Sequence, residues 1–449
     1  MDKFFYYDYL LSQANKRDAE ILDLLKFELD QRIYYYGQHF INPREKYQDN
    51  IIKEHKKDYS LKNLIKIIMV KGLSKARYIL KGLPKTKPIL KDDFDESKKN
   101  ILSNSYSHSS ISLELCKLGY NVITPIWAGD CQPRNPVSPI SFIQQTLSIV
   151  NKLYNGNFNE LLSEPFKKEI EDYISVSKDI YKKYIDALIV PYDMPSMEKI
   201  AIKIFKEIKK PSFLFSHALM VRYNNIDENR TDYLIVWGEK IKQHYIDYGL
   251  FSADKIFVSG HPYYNELKVK ELRFSLDNIL VITKPLPGAQ MHSDRLTLTD
   301  RGNIILYLFS LQSVLQKFGI KTVRFRPHPS ENGSWYLKYI DSDFYRLDNE
   351  SLSDSLNSSS LVIGPTTTVM LDAIYHGVNY IVYEPVINDV TLSGLHNVPP
   401  FDGTDNRLPV AKDEDELYNI IKDKIAIDIS IWDDYIKAPF DISFIKKLV

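Results

Sequence analysis

Within nine residues, the stretch VRFRPHPSE, Val323 to Glu331, gathers two arginines, a histidine between two prolines and a glutamate. Arg324 and Arg326 stand at the C-terminal end of a short β-rich run, Lys321 to Phe325, two residues apart, so both face the same way. The flanking prolines restrict the backbone around His328 and set its imidazole at small entropic cost. Further on, Ser360 to Ile363 reads as an apolar strand. It leads through Gly364-Pro365 and three threonines, Thr366, Thr367 and Thr368, into an amphipathic helix over Val369 to Gly377. A second apolar strand follows over Tyr380 to Tyr383. A strand that delivers hydroxyls and unpaired N–H groups to a helix N-terminus suits an anion, because orphan donors and helix dipole both favour negative charge. Phosphate is the chemistry these residues point to. His328 could donate to a leaving phosphate oxygen as charge develops on it, with Arg326, Glu331 and the threonines around the same group.

Each residue also has a plainer role open to it. His328 could pack or cap a proline loop, and one threonine serves as an N-cap whatever the function. The arginines could pair with Asp or Glu as surface charges, which is the preferred reading for Arg324. In KPLPGAQ, Lys284 and the backbone around Gly288 sit where a strand ends and are candidates for a phosphate or nucleobase, although such density of Pro and Gly also marks a turn. His292 on the same loop and Glu384 in YEP are further candidates by position.

These groups need a scaffold, and the pattern supplies one. Met1 to about Lys91 reads as helical, with apolar residues at helical spacing from Leu10 to Ile33 and again from Leu61 to Leu80. Residues 51–91 hold eleven Lys and one Arg against two acids, a net of +10. That is either a solvated basic face or a contact with an anionic membrane surface. The proline-broken, charged segment Gly82 to Lys99 is a candidate linker. Strands then alternate with helices: strands over 100–103, 119–125, 185–191, 212–216, 232–237 and 255–259, with helices over 109–118, 140–154, 164–184, 196–209 and 240–248. A second series starts with a strand over 278–283 and a helix over 300–318, and ends with a helical segment over 410–425. Repeated β-α-β units mean parallel sheets covered by helices on both faces, with ligands at the carboxyl ends of the strands.

A chain of 449 residues requires two or three domains. Its net charge of zero gives no sign of nucleic acid as a partner. Two cysteines, Cys116 and Cys131, are too few for a disulfide framework or a zinc site and fit a reducing cytoplasm. No run reaches about 18 apolar residues, and the N-terminus carries charges where a signal peptide would be apolar. Neither G-x-G-x-x-G, G-x-x-x-x-G-K-[ST] nor G-x-S-x-G occurs, and no D-x-D pair stands where a metal would be expected.

Over 185–421, by order of elements and by its RPHP and GPTTT segments, the chain resembles GT-B glycosyltransferases that use CMP-activated sugars, the bacterial sialyl-, polysialyl- and Kdo-transferases. The teichoic-acid CDP-glycerol glycerophosphotransferases look similar. The resemblance implies an α/β fold of two doubly wound, Rossmann-like domains facing a cleft. Residues 1–98 would be a helical N-terminal extension, 99–265 the acceptor domain, 266–430 the nucleotide-sugar domain, and 431–449 a helix crossing back. Lys284, Gly288, Arg326, His328, Glu331, Thr366, Thr367 and Thr368 would hold the donor nucleotide. Asp193, in VPYDMPS, would be the general base at the cleft mouth, unless it only caps the following helix. His217 would share that work; it resembles the strand-end His of the glycerophosphotransferases, although Ala218 stands where Gly usually follows. Ser105, His108 and Asp130 would lie on the acceptor side, and His261 resembles a Gly-x-Pro segment closing this domain. The expected activity is an inverting, metal-independent transfer of an ulosonic acid such as Kdo or a sialic-type sugar to a bacterial surface glycan or glycolipid. No cofactor is expected beyond the donor, and the location is cytoplasmic, with peripheral membrane contact through 51–91. Competing expectations are a glycerophosphotransferase, a UDP- or GDP-sugar transferase, a sugar-nucleotide epimerase of the same shape, and a non-catalytic scaffold in capsule assembly.

Overall fold

A computed structural model describes residues 10–41, 95–103, 109–128, 137–216, 230–247, 251–264, 267–284, 298–329, 331–387, 390–391, 397 and 400–449. The basic segment 51–91 lies outside them.

The first half runs α1 (Lys16–Ile41), β1 (Asn100–Ser103), α2 (Ser109–Lys117), β2 (Asn121–Ile123), α3 (Ile140–Asn155), α4 (Phe158–Leu161), α5 (Glu164–Tyr184), β3 (Ala187–Val190), α6 (Ser196–Glu207), β4 (Ser212–Phe215), β5 (Tyr233–Val236), α7 (Glu239–Asp247) and β6 (Ile256–Val258). Its six strands form one parallel sheet in the order β2-β1-β3-β4-β5-β6. The central strands β3 and β4 are buried at every residue, as a parallel sheet with helices on both faces requires. In α5, Ser163 caps the N-terminus by accepting from the Phe166 N–H, and Phe166, Ile170, Tyr173, Ile174, Ser177, Ile180 and Tyr181 bury one face at helical spacing.

The second half runs β7 (Ile279–Ile282), α8 (Leu298–Lys317), β8 (Val323–Arg326), α9 (Gly333–Tyr336), β9 (Tyr345–Leu347), α10 (Leu352–Ser358), β10 (Leu361–Gly364), α11 (Val369–Tyr375), β11 (Tyr380–Tyr383), β12 (Val386–Ile387), β13 (Val390–Thr391), β14 (Val410–Ala411) and α12 (Glu414–Lys422). Its parallel sheet has the order β14-β11-β10-β7-β8-β9, while β12 and β13 pair separately and antiparallel. The chain reverses its winding between β7 and β10 here and between β1 and β3 in the first sheet. In open α/β sheets those two points are where crevices form. The α/β architecture of two doubly wound, Rossmann-like sheets expected from the sequence is thus the one observed.

The described part of the N-terminal extension packs into the first half, with Ile21, Leu22, Leu24, Leu25 and Leu29 buried in its core. Helix α1 packs on α6 and covers its outer face. That is why α6 buries residues all round, including Ile200, Ile202, Ile204 and Phe205. At the other end, the single helix expected over 431–449 is broken. Helix α13 (Ile431–Tyr435) stops before Pro439, which cannot continue a helix, and a 3-10 turn follows at Ser443–Lys447. The segment does return to the first half, with Lys437 N–H donating to Trp237 O and Asp441 N–H to Ser259 O, each at 2.8 Å. Gly238 permits the approach, since a Cβ there would lie 2.3 Å from the Tyr435 carbonyl. The halves also meet through Tyr264, whose hydroxyl donates to Asp372 at 2.8 Å, and through stacked Tyr375 and Trp432.

Among the described residues, no helix is long and apolar enough to cross a membrane.

Candidate functional site

At the crossover point of the second sheet, the ends of β7, β10 and β11 converge on one buried group of side chains. Lys284, just past β7, donates from Nζ to Glu384 Oε1 at 2.8 Å and to the Thr366 carbonyl. The same carboxylate oxygen accepts the Thr366 N–H at 2.8 Å. The pair is nearly sealed, with side-chain exposures of 11% and 6%, so lysine and glutamate neutralise each other away from water. The turn between them admits no side chain at Gly364, where a Cβ would lie 2.2 Å from Ile282 Cγ1 and 2.5 Å from Tyr380 Oη. The Tyr380 hydroxyl donates to the Pro365 carbonyl and holds the turn from below.

The threonines of this turn do little capping. Thr368 is the N-cap of α11 but makes no side-chain cap bond, and Thr367 Oγ1 accepts from Val369 N–H only at 3.5 Å. Thr366 is fully buried, and its hydroxyl has no hydrogen-bond partner among the described residues. A buried hydroxyl in that state costs about 1–3 kcal/mol.

His328 follows β8 on the neighbouring strand end. Its ring is exposed to solvent, yet the protein around it desolvates the imidazole and lowers its pKa below the ordinary histidine value. Glu331 closes this loop: its Oε2 accepts from His328 N–H at 2.9 Å and from Thr283 Oγ1 at 2.7 Å. Its Oε1 accepts from Tyr336 Oη at 2.9 Å. Glu331, expected at the donor phosphate, here spends its carboxylate on three donors of the protein.

Arg326 is likewise engaged within the protein. Arg324 and Arg326 do share a face of β8, but that face is covered by α10. Arg326 Nη1 donates to Glu350 O at 2.7 Å and Ser355 Oγ at 3.1 Å, and lies 3.5 Å from Asp348. Arg324 reaches the Ser355 carbonyl at 2.7 Å and the other oxygen of Asp348 at 3.5 Å. Both guanidinium groups thus serve the Asp348 carboxylate; Arg324 also meets the carboxyl-terminal end of α10, at Ser358 and Ser359, where positive charge suits the helix dipole.

In the first half, Asp193 is fully buried, and its Oδ2 accepts the Arg230 N–H at 2.8 Å. The expectation of a base at the cleft mouth is therefore corrected: the proline-bounded turn tucks this carboxylate inward, where it anchors the start of the β5 segment. It does not cap α6, whose N-cap is Pro195. The anion at that helix start comes from α1. Glu28 Oε1 accepts the Ser196 N–H at 3.1 Å, and Oε2 accepts the Ser196 hydroxyl. Nearby, Arg230 makes a two-pronged pair with Asp23 at 2.7 Å for each contact. His261 packs on Trp237, ring centroids 4.4 Å apart, and its Nδ1 accepts the Tyr263 N–H at 3.2 Å, so it belongs to the join between the halves. Ser105, His108, Asp130, His217, Gly288 and His292 lie outside the described residues.

The structure thus brings together Lys284, Thr366 and Glu384, with His328 tied to Thr283 next to Lys284. Sequence reasoning missed Glu28, Thr283 and Asp372. Glu28 had a signal, since it stands seven residues after Ile21 on the apolar face of α1. The other two had none. Among the described residues, no group of three or more His, Cys, Asp or Glu has metal-ligand spacing.

No protein-family model matches the sequence, and no curated protein does. Solved structures with a similar arrangement of elements include a UDP-N-acetylglucosamine 2-epimerase, so described, from Listeria monocytogenes. It is 13% identical, covers 77% of this chain and 93% of its own, and has a TM-score of 0.41. The lipopolysaccharide outer core galactosyltransferase WaaB is 11% identical, with coverage of 78% and 97% and a TM-score of 0.42. The wall teichoic acid polymerase TagF is 12% identical, with coverage of 86% and 93% and a TM-score of 0.39. These are likenesses in the arrangement of elements alone.

Proposed function

We propose that the chain is an inverting glycosyltransferase of the GT-B type. It moves a sugar from a nucleotide-activated donor, a CMP-linked ulosonic acid of the Kdo or sialic type, to a bacterial surface glycan. The observation that carries the reading is the buried, unpartnered hydroxyl of Thr366 beside Lys284 and Glu384 at the crossover point of the second sheet. The CMP preference rests on the resemblance of the RPHP and threonine segments.

In this reading the donor phosphate lies against the Gly364–Thr368 turn, within reach of the Thr366 hydroxyl and the loop of His328. An acceptor hydroxyl attacks the anomeric carbon from the opposite face while the bond from that carbon to the phosphate oxygen breaks. The hydroxyl proton passes to a base of the first half. With Asp193 buried as an anchor, His217 is the proposed base. The leaving oxygen gains negative charge and receives an N–H from His328. Its lowered pKa keeps that ring neutral near pH 7, and a neutral imidazole still has one N–H to donate.

Calorimetric titration with CMP, CDP, UDP and GDP tests this on the wild type, His328→Ala and Thr366→Val. CMP should bind selectively, and each substitution should weaken it about ten-fold, the equivalent of one hydrogen bond to a charged group. Thr366→Val should at the same time leave stability unchanged or raise it by about 1 kcal/mol, since it removes an orphan hydroxyl. A preference for CDP, UDP or GDP would shift the reading to a glycerophosphotransferase or another sugar nucleotide. Binding of none of the four would remove it.

A further inference from the structure

We infer that Glu331 is a positioning residue, whose carboxylate joins the end of β7, the His328 turn and α9 and so sets where His328 stands against Thr283 and Lys284. Its meaning for catalysis rests on the proposed function. The joint itself rests on geometry.

Three donors from three elements meet on this carboxylate: Thr283 Oγ1 at 2.7 Å, His328 N–H at 2.9 Å and Tyr336 Oη at 2.9 Å. In return, the Glu331 N–H donates to the His328 carbonyl at 2.8 Å. Residues 328 and 331 therefore close on each other through two bonds, a backbone turn bond from the Glu331 N–H and a side-chain bond back to the His328 N–H. Both outer attachments are firm, because Tyr336 and Thr283 are buried at 1% and 5% exposure. Gly333 adds to the hold, as a Cβ there would meet Pro327 Cγ at 2.8 Å, so α9 sits directly on the proline before His328. Strand pairing ties β8 to β7 as far as Arg326, whose carbonyl accepts the Thr283 N–H at 3.3 Å. Pro327 and Pro329 restrict the backbone on either side of His328, and Glu331 adds the side-chain tie from His328 itself to Thr283. Thr283 immediately precedes Lys284, so the histidine loop and the buried Lys284–Glu384 pair share one strand end.

The test uses the full-length protein with labelled histidines. The His328 signal is assigned among the ten histidines by its loss in His328→Ala, and its titration is followed by NMR beside calorimetric binding of CMP. In Glu331→Ala the His328 midpoint should rise towards the ordinary value of about 6.5, and CMP affinity should fall about ten-fold. Thr283→Val should move both in the same direction by less, and the double variant should be no worse than Glu331→Ala, since the two groups form one contact. Glu331→Gln should behave as the wild type. Its amide oxygen can accept from Thr283 and His328, and its NH2 can donate to the tyrosine oxygen. An unchanged His328 midpoint in both Glu331→Ala and Thr283→Val would overturn the inference. So would a Glu331→Gln variant as impaired as Glu331→Ala, because the charge itself would then matter. If the wild type binds no nucleotide, the proposed function falls while the His328 midpoint still decides the role of Glu331.

Discussion

Each half of the molecule passes from a strand to a helix at its crossover point, and each sets a carboxylate from another element against a backbone N–H there. In the first half the carboxylate is Glu28, carried in by α1 and closed on Ser196 at the start of α6. In the second half it is Glu384, from the end of the adjacent strand, which accepts the Thr366 N–H and also holds the Lys284 ammonium. The difference lies in what stands beside each carboxylate. Around Glu28, Leu25 and Leu29 on its own helix are fully buried, and so are Glu198 and Lys199 on the helix it meets, with Lys199 Nζ donating to the Asp23 carbonyl of α1 at 3.0 Å. Beside Glu384 stand a cation, an unpartnered hydroxyl and, across Thr283, a solvent-exposed histidine. The same local device closes both turns, and the proposed function assigns an anion to the second, where the Thr366 hydroxyl has no partner among the described residues.

The most forceful way to break this contrast is Lys284→Met. It strands Glu384 without its cation in a buried place and should cost about 3–5 kcal/mol, while Lys284→Met with Glu384→Gln should recover much of the loss. Urea unfolding of the two variants measures this. Equal stability for the single and double variants would show that the pair is not electrostatically coupled.

A smaller effect concerns the joint between the halves. Burial pushes the Asp372 carboxyl up to about 6, so the folded protein holds this proton more tightly than an unfolded chain, where Asp titrates near 3.9. The stabilisation is full below about pH 4 and is lost as pH rises through about 6. Asp372→Asn keeps an acceptor for Tyr264 and should remove that loss, which amounts to at most about 3 kcal/mol at neutral pH. Unfolding midpoints at pH 4 and pH 7.5 should therefore diverge between variant and wild type only at the higher pH. Parallel behaviour would assign the joint no proton linkage.

The smallest effect is expected at the first-half turn. Glu28→Ala removes two hydrogen bonds to Ser196 and should lower stability by about 1–2 kcal/mol. If the halves differ as described, nucleotide affinity stays unchanged in this variant. A loss of affinity together with stability would mean that the first-half turn also serves the ligand.

Much of the scaffold was legible because its signals are short-range. Continuous apolar runs such as those of β3, β10 and β11 announce strands buried on both faces, and the period of α5 announces a helix with one buried side. Strand β9 and helix α10 left no such trace. A three-residue edge strand has no period to detect, and LSDSLNS presents no broad apolar face. The shared face of Arg324 and Arg326 followed from alternation along a strand, but its cover, α10 with Asp348, did not.

By itself the sequence determined the alternation of strands and helices, the turn at Gly364–Thr368 and the constrained backbone around His328, because periodicity, glycine and proline act within a few residues. Only the tertiary structure decided which carboxylate meets which donor. It turned Asp193 inward, committed the arginines to Asp348, set Glu28 on a helix start 168 residues away and joined Glu331 to Thr283, 48 residues back. The physical reason is that a charged group's partner is set by spatial proximity and burial, and both arise only when distant segments pack.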